Sequence, residues 1–183
     1  MRKLIVCFII LLMQVAVFAQ TELNRKPTKY EEFISKAGII YKYVDKSMKS
    51  YSIYANNPLK CKLRTFYGEN KNDYFYIIEN KNLLKGHNYA AIEYSDLVEI
   101  NNAIAKLRNE VKADIELRPE YLSNYFISVD LFKIGYFIEK SKVTWTLSTD
   151  TGSDITILNS EEFANHFAEA QKEIETIIQE NGK

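Results

Sequence analysis

Twice along this chain, short stretches with an apolar period of two run almost without a loop into a capped stretch with a period of 3.6. A chain patterned this way is directed toward antiparallel strands with helices laid over them. Residues 39–44, 61–67, 73–79 and 89–94 are rich in Tyr, Ile and Phe and are divided by Asn-, Gly- and Lys-rich turns, which predicts four strands. In the third, Tyr74, Tyr76 and Ile78 share one face and Phe75 and Ile77 the other, as in a strand covered on both sides. Ser95, followed by Asp96 and Glu99, then opens a helix. Its residues Leu97, Ile100, Ile104, Leu107 and Val111 fall on one stripe, and Pro119 sets its latest end.

The succession then recurs. Residues 125–130, 132–139, 143–149 and 155–158 read as strands, with Val143, Trp145 and Leu147 alternating against Thr144, Thr146 and Ser148. Asn159 and Ser160 cap a last helix striped by Phe163, Phe167, Ala170, Ile174 and Ile177. Ahead of both units, Thr28 and Glu31 have the capping-box spacing and Gly38 can close a helix over 29–37. The expected fold is α+β: antiparallel sheet covered on one face by two long amphipathic helices, with halves at 39–118 and 119–181. The matching junctions, Ala91 to Asp96 and Thr156 to Glu161, fit either a duplication or the shared chemistry of capped helices.

The ends set the compartment. Arg2 and Lys3, the apolar run from Leu4 to Met13, and Val17 and Ala19 ahead of Gln20 read as a secretory signal peptide over residues 1–19. The run is shorter than the roughly twenty residues a spanning helix needs. Cleavage near Ala19/Gln20 would send the chain to the periplasm or the exterior, with residues 20–27 as a flexible leader and 28–183 as one α+β domain. Loss of Arg2 and Lys3 takes the 24 basic residues to 22 against 24 acidic ones, a balance that gives no field for nucleic acid. Cys61 is then the one remaining thiol and cannot form an internal disulfide. Alternation places it inward beside Leu63, as a buried structural cysteine.

The motifs that carry chemistry are few. Asp150-Thr151-Gly152-Ser153 has the letters of an aspartic-protease loop, but that chemistry needs two such loops, and a Gly-centred polar stretch between strands serves as a turn. Glu162, His166 and Glu169 share a face of the last helix at metal-ligand spacing; without a supporting Cys or His cluster they read as a solvated face, and no metal or other cofactor is expected. His87 sits in a loop. Lys42, Lys60, Lys62 and Arg64, interleaved with Tyr41, Tyr43 and Phe66, would suit single-stranded nucleic acid, yet export and net acidity favour lysines that protect an edge strand. All 13 tyrosines follow the signal segment. Tyrosine offers a large rigid face with a polar tip, and Tyr41, Tyr43, Tyr74 and Tyr76 are the candidate binding residues. Ordinary half-buried strands account for the tyrosines equally.

At Ser35 to Asp45, Ser-Lys-Ala-Gly-Ile-Ile-Tyr-Lys-Tyr-Val-Asp, and at Ile92-Glu93-Tyr94-Ser95-Asp96-Leu97, the chain resembles a set of small exported proteins of Bacteroidetes-type bacteria. That resemblance implies an envelope location and transfers no activity or site residue. The functional expectation is an exported, non-enzymatic binding protein whose partner is an envelope protein, a peptide or a carbohydrate. The alternative is an exported hydrolase whose catalytic acids the sequence does not identify.

Overall fold

The computed structural model describes residues 26–54, 57–68, 71–80, 88–148, 155–157 and 159–181. The signal segment, His87 and the Asp150 to Ser153 motif lie outside the described residues. A short helix α1 (Lys29–Ile34) leads into strands β1 (Lys42–Ser47), β2 (Tyr51–Tyr54), β3 (Asn57–Tyr67), β4 (Asn72–Asn80) and β5 (Asn88–Glu93), then a long helix α2 (Tyr94–Glu116). Strands β6 (Tyr121–Ile127), β7 (Lys133–Glu139), β8 (Lys142–Ser148) and β9 (Ile155–Ile157) precede the last helix, α3 (Ser160–Asn181). The class is α+β, with every strand pair antiparallel.

The first sheet has the order β1-β3-β4-β5, with β2 also paired to β3; the second has the order β6-β7-β8-β9. The long helices pack on the sheets and on each other. One continuous core joins the inner faces of both sheets to both helix stripes, with Leu97, Ile100, Ile104 and Leu107 of α2 and Phe163, Phe167, Ala170 and Ile174 of α3 all buried. Val111 and Ile177 pack at its margin.

Polar pins between sheets and helices cross from one half to the other. From the first sheet, the Tyr51 hydroxyl donates to the Asn159 carbonyl at 2.9 Å, and Tyr76 meets His166 Nδ1 of α3 at 3.1 Å. From the second sheet, Tyr136 donates to Asp114 Oδ2 of α2 at 2.6 Å and accepts from Asn124 at 3.2 Å. Burial and the Asp114 bond push the Tyr136 hydroxyl up to about 12. Each sheet is therefore tied to the helix that belongs, in sequence, to the other half.

Several boundaries differ from expectation for local reasons. Residues 39–41 return the chain from α1 and are not paired: Gly38 turns with φ of 78°, and the Tyr41 hydroxyl donates back to the Phe33 and Lys36 carbonyls at 2.7 and 3.0 Å. Strand β1 consequently starts at Lys42. The α1 capping box forms as read, with Glu31 N on Thr28 Oγ1 at 3.2 Å and Thr28 N on Glu31 Oε2 at 2.9 Å, though the helix stops at Ile34. Helix α2 is capped by Glu93, not Ser95; its carboxylate accepts from Ser95 N at 3.0 Å. At α3, Asn159 Oδ1 accepts from Glu161 N and Glu162 N at 3.0 and 3.1 Å.

Helix α1 covers the middle of the outer face of the first sheet. Tyr30, Phe66, Phe75 and Ile77 form a second buried cluster, with Phe33, Tyr41 and Ala91 packed against it. Strand β4 is covered on both faces for this reason, as its two-sided apolar pattern required.

Candidate functional site

The four tyrosines singled out by sequence are not brought together. Tyr41 and Tyr43 stand at the outer side of the first sheet: Tyr41 is spent on the two carbonyls after α1 and packs on Phe33 and Phe66, and Tyr43 is half exposed under the Arg64 guanidinium at 4.0 Å. Tyr74 packs against the main core on the opposite face, and Tyr76 is inside it at 1% exposure. A one-residue offset along a strand reverses the face, and Tyr43 and Tyr76 fall on opposite sides of their sheet.

Arg64 and Lys62 of the first strands are consumed internally. Arg64 forks onto Asp45 through Nε and Nη2 at 2.6 and 2.7 Å and donates to the Tyr30 hydroxyl at 2.7 Å. The guanidinium beside Asp45 holds that carboxyl below its ordinary range. Lys62 bridges Asp45 at 3.3 Å and Glu79 at 2.7 Å. Strand β3, which carries Lys60, Lys62 and Arg64, is interior, so edge protection applies only to Lys42 on β1. Cys61 is buried beside Leu63 as expected, and burial pushes its thiol up, away from the reactive thiolate.

His166 overturns the solvated-face reading of its helix at that one position. It is 6% exposed, with Nε2 against the Lys49 carbonyl and Nδ1 against Tyr76. The Lys49 oxygen only accepts, so Nε2 carries a proton toward it. Glu162 and Glu169 point to solvent. Among the described residues no group of three His, Cys, Asp or Glu side chains is placed to hold a metal ion, and no helix is long and apolar enough to cross a membrane.

Among the described residues, the outer face of the second sheet carries exposed apolar groups along β6. That face has no counterpart of α1 among the described residues. Tyr121 is 62% and Ile127 58% exposed, while Tyr125 and Phe137 are half buried. Tyr121 stacks on Phe137 with ring centroids 6.2 Å apart and planes 25° from parallel. Tyr125 faces Gly135 across the strand pair, its ring lying where a side chain at 135 would stand, and the Lys133 ammonium sits 4.4 Å from that ring. The result is a broad aromatic and aliphatic surface with one cation at its side.

No family model, curated protein or solved structure matches the chain. The alternation of Tyr121, Ser123, Tyr125 and Ile127 marks one side of β6, but nothing local in the sequence says that this side is left uncovered while α1 covers part of the equivalent side of the first sheet.

Proposed function

We propose that the protein is an exported, non-enzymatic binding protein that engages a polypeptide partner of the cell envelope through the outer face of its second sheet. The observation that supports this reading is the contrast between the two sheets: Tyr30 and Phe33 of α1 cover Phe66, Phe75 and Ile77 on the first outer face, and no described helix covers Tyr121, Tyr125, Ile127 and Phe137 on the second. Exposed apolar groups gathered on one sheet face mark interaction sites, and stacked rings bring large contact area at little conformational cost. The binding surface is thus placed on tyrosines other than the four expected from the sequence.

The test is cross-linking and quantitative co-purification of the tagged mature protein in its host envelope, with a Tyr121→Ser/Ile127→Ser variant in parallel. A stoichiometric partner captured by the wild type and lost from the folded variant supports the reading. Equal capture by the variant, or a clean solitary wild-type protein, refutes it.

A further inference from the structure

We propose that the free edge of β6 is a self-association site, where a second copy of the chain adds its own β6 antiparallel across a two-fold axis at Asn124. This goes beyond the envelope-binding reading and stands on the edge of the second sheet, not on its outer face. Strand β6 is paired on one side only, to β7, in an unbroken register from Tyr121 to Ile127.

Backbone direction fixes which groups face that edge. Ser128 N donates to the Phe132 carbonyl at 2.9 Å, which makes residues 128 and 132 a hydrogen-bonded pair. Such pairs alternate along an antiparallel ladder, so Leu122, Asn124 and Phe126 turn their amides and carbonyls to β7. The N–H and C=O groups of Tyr121, Ser123, Tyr125 and Ile127 point the other way. A row of main-chain donors and acceptors on an edge is a template for a further strand.

The other described edges are blunted. Strand β1 carries Lys42, Asp45 and Lys46. Strand β5 lies beside α1, with Tyr89 edge-on to Tyr30 at 6.1 Å and Glu93 3.5 Å from Lys29 Nζ. Strands β2 and β9 have four and three residues. Charge, proline, bulges and shortness keep an edge from pairing, and β6, Tyr-Leu-Ser-Asn-Tyr-Phe-Ile, has none of them.

The order of residues in β6 favours a second copy over a foreign strand. Rotation about Asn124 sets Tyr121 against Ile127, Ser123 against Tyr125 and Leu122 against Phe126 of the other copy. Every edge-facing residue then meets an edge-facing residue, bulky side chains meet aliphatic or small ones, and no like charges are opposed within the strand. The rotation also brings Leu117, 71% exposed, to the end where the other copy presents Val129, 65% exposed. Beneath Asn124, Glu110 accepts from Asn124 Nδ2 at 2.8 Å and Asp114 from the Tyr136 hydroxyl at 2.6 Å, which holds both acids under their own sheet. Two four-stranded sheets thereby become one of eight strands.

The experiment is sedimentation equilibrium of the mature protein, with intermolecular NOEs recorded on a mixture of isotope-labelled and unlabelled chains. Wild type should be dimeric at about 100 μM, as expected for a Kd of about 10 μM or tighter, with Leu122 Hα to Phe126 Hα contacts between copies. Ser123→Pro removes an outward amide and leaves the ladder to β7 intact; by symmetry two intermolecular bonds go, and affinity should fall about tenfold or more. Ser123 is exposed, so Ser123→Lys and Ser123→Glu report even where the proline variant does not fold. The two copies of residue 123 lie diagonally across the axis, so each of these variants alone should be monomeric and their equimolar mixture dimeric. A monomeric wild type, undiminished association in the folded variants, or contacts between copies through the Tyr121 and Phe137 rings in place of the β6 edge overturns the proposal. A monomeric wild type that still captures an envelope partner overturns the dimer alone.

Discussion

The docking of α1 is testable through a single residue. Tyr30 is 7% exposed; its ring meets Phe75 edge-on at 5.2 Å and Phe66 at 6.1 Å, and its hydroxyl accepts from Arg64 Nη1 at 2.7 Å. Tyr30→Phe removes only the hydroxyl. Arg64 keeps its fork on Asp45, so the loss is one charge-assisted bond, about 1.5 kcal/mol. Tyr30→Ala also removes the ring and uncovers Phe66 and Phe75. Burial of an aromatic of this size is worth about 3–5 kcal/mol, and the lower end applies because a six-residue helix lets solvent enter the gap. At about 2–4 °C per kcal/mol for a chain of this length, the expected falls in Tm are about 3–6 °C for Tyr30→Phe and about 6–12 °C for Tyr30→Ala. Urea unfolding followed by circular dichroism should show lower midpoints with an unchanged slope. A Tyr30→Ala protein within about 1 kcal/mol of wild type would mean that α1 does not cover the sheet.

Leu107→Asp and Ile174→Asp each place a charge in the core shared by both helices and should abolish cooperative melting at a cost of several kcal/mol; a normal transition in both would refute the packing. For Asp45, whose folded carboxyl is held low by Arg64, the stabilisation is present above the unfolded value of about 3.9 and is lost as pH falls through the lowered folded value. Asp45→Asn should therefore flatten the acid limb of stability below about pH 4 in acid titrations monitored by fluorescence, and an unchanged limb would remove the pair from the account. At Gly135 an added Cβ would lie 2.1 Å from the Asn124 carbonyl oxygen and 2.7 Å from Tyr125 Cα. Gly135→Ala should cost about 2–3 kcal/mol and speed amide exchange across β6, and neutral behaviour would contradict the β6–β7 register.

What the sequence revealed and what it concealed divide along the range of the forces involved. The helix stripes, the α1 capping box and the two-sided pattern of β4 are set by neighbours within one or two turns, and each appears where the residues put it. Strand β2 was invisible because four residues in an Asn-rich stretch carry too little periodicity to stand out. The start of β6 was missed at Tyr121 because an edge strand alternates with Ser123 and Asn124, which look like loop. By sequence Arg64 and His166 fall on solvated faces; their partners, Asp45, Tyr30, Tyr76 and Lys49, are supplied from 19 to 117 residues away. The same holds for the binding surface: alternation tells which tyrosines share a side, while only the placement of α1 decides which side stays open.

The crossed pins have a consequence for how the molecule opens. Detaching α3 strips Tyr76 and Tyr51 of the first sheet of their hydrogen-bond partners and Phe132, at the start of β7, of its neighbour Phe167, and detaching α2 does the same to Tyr136 in the second sheet. Neither half can come loose while the other stays closed, so slow amide exchange in β4 and β7 should vanish together, as one cooperative unit.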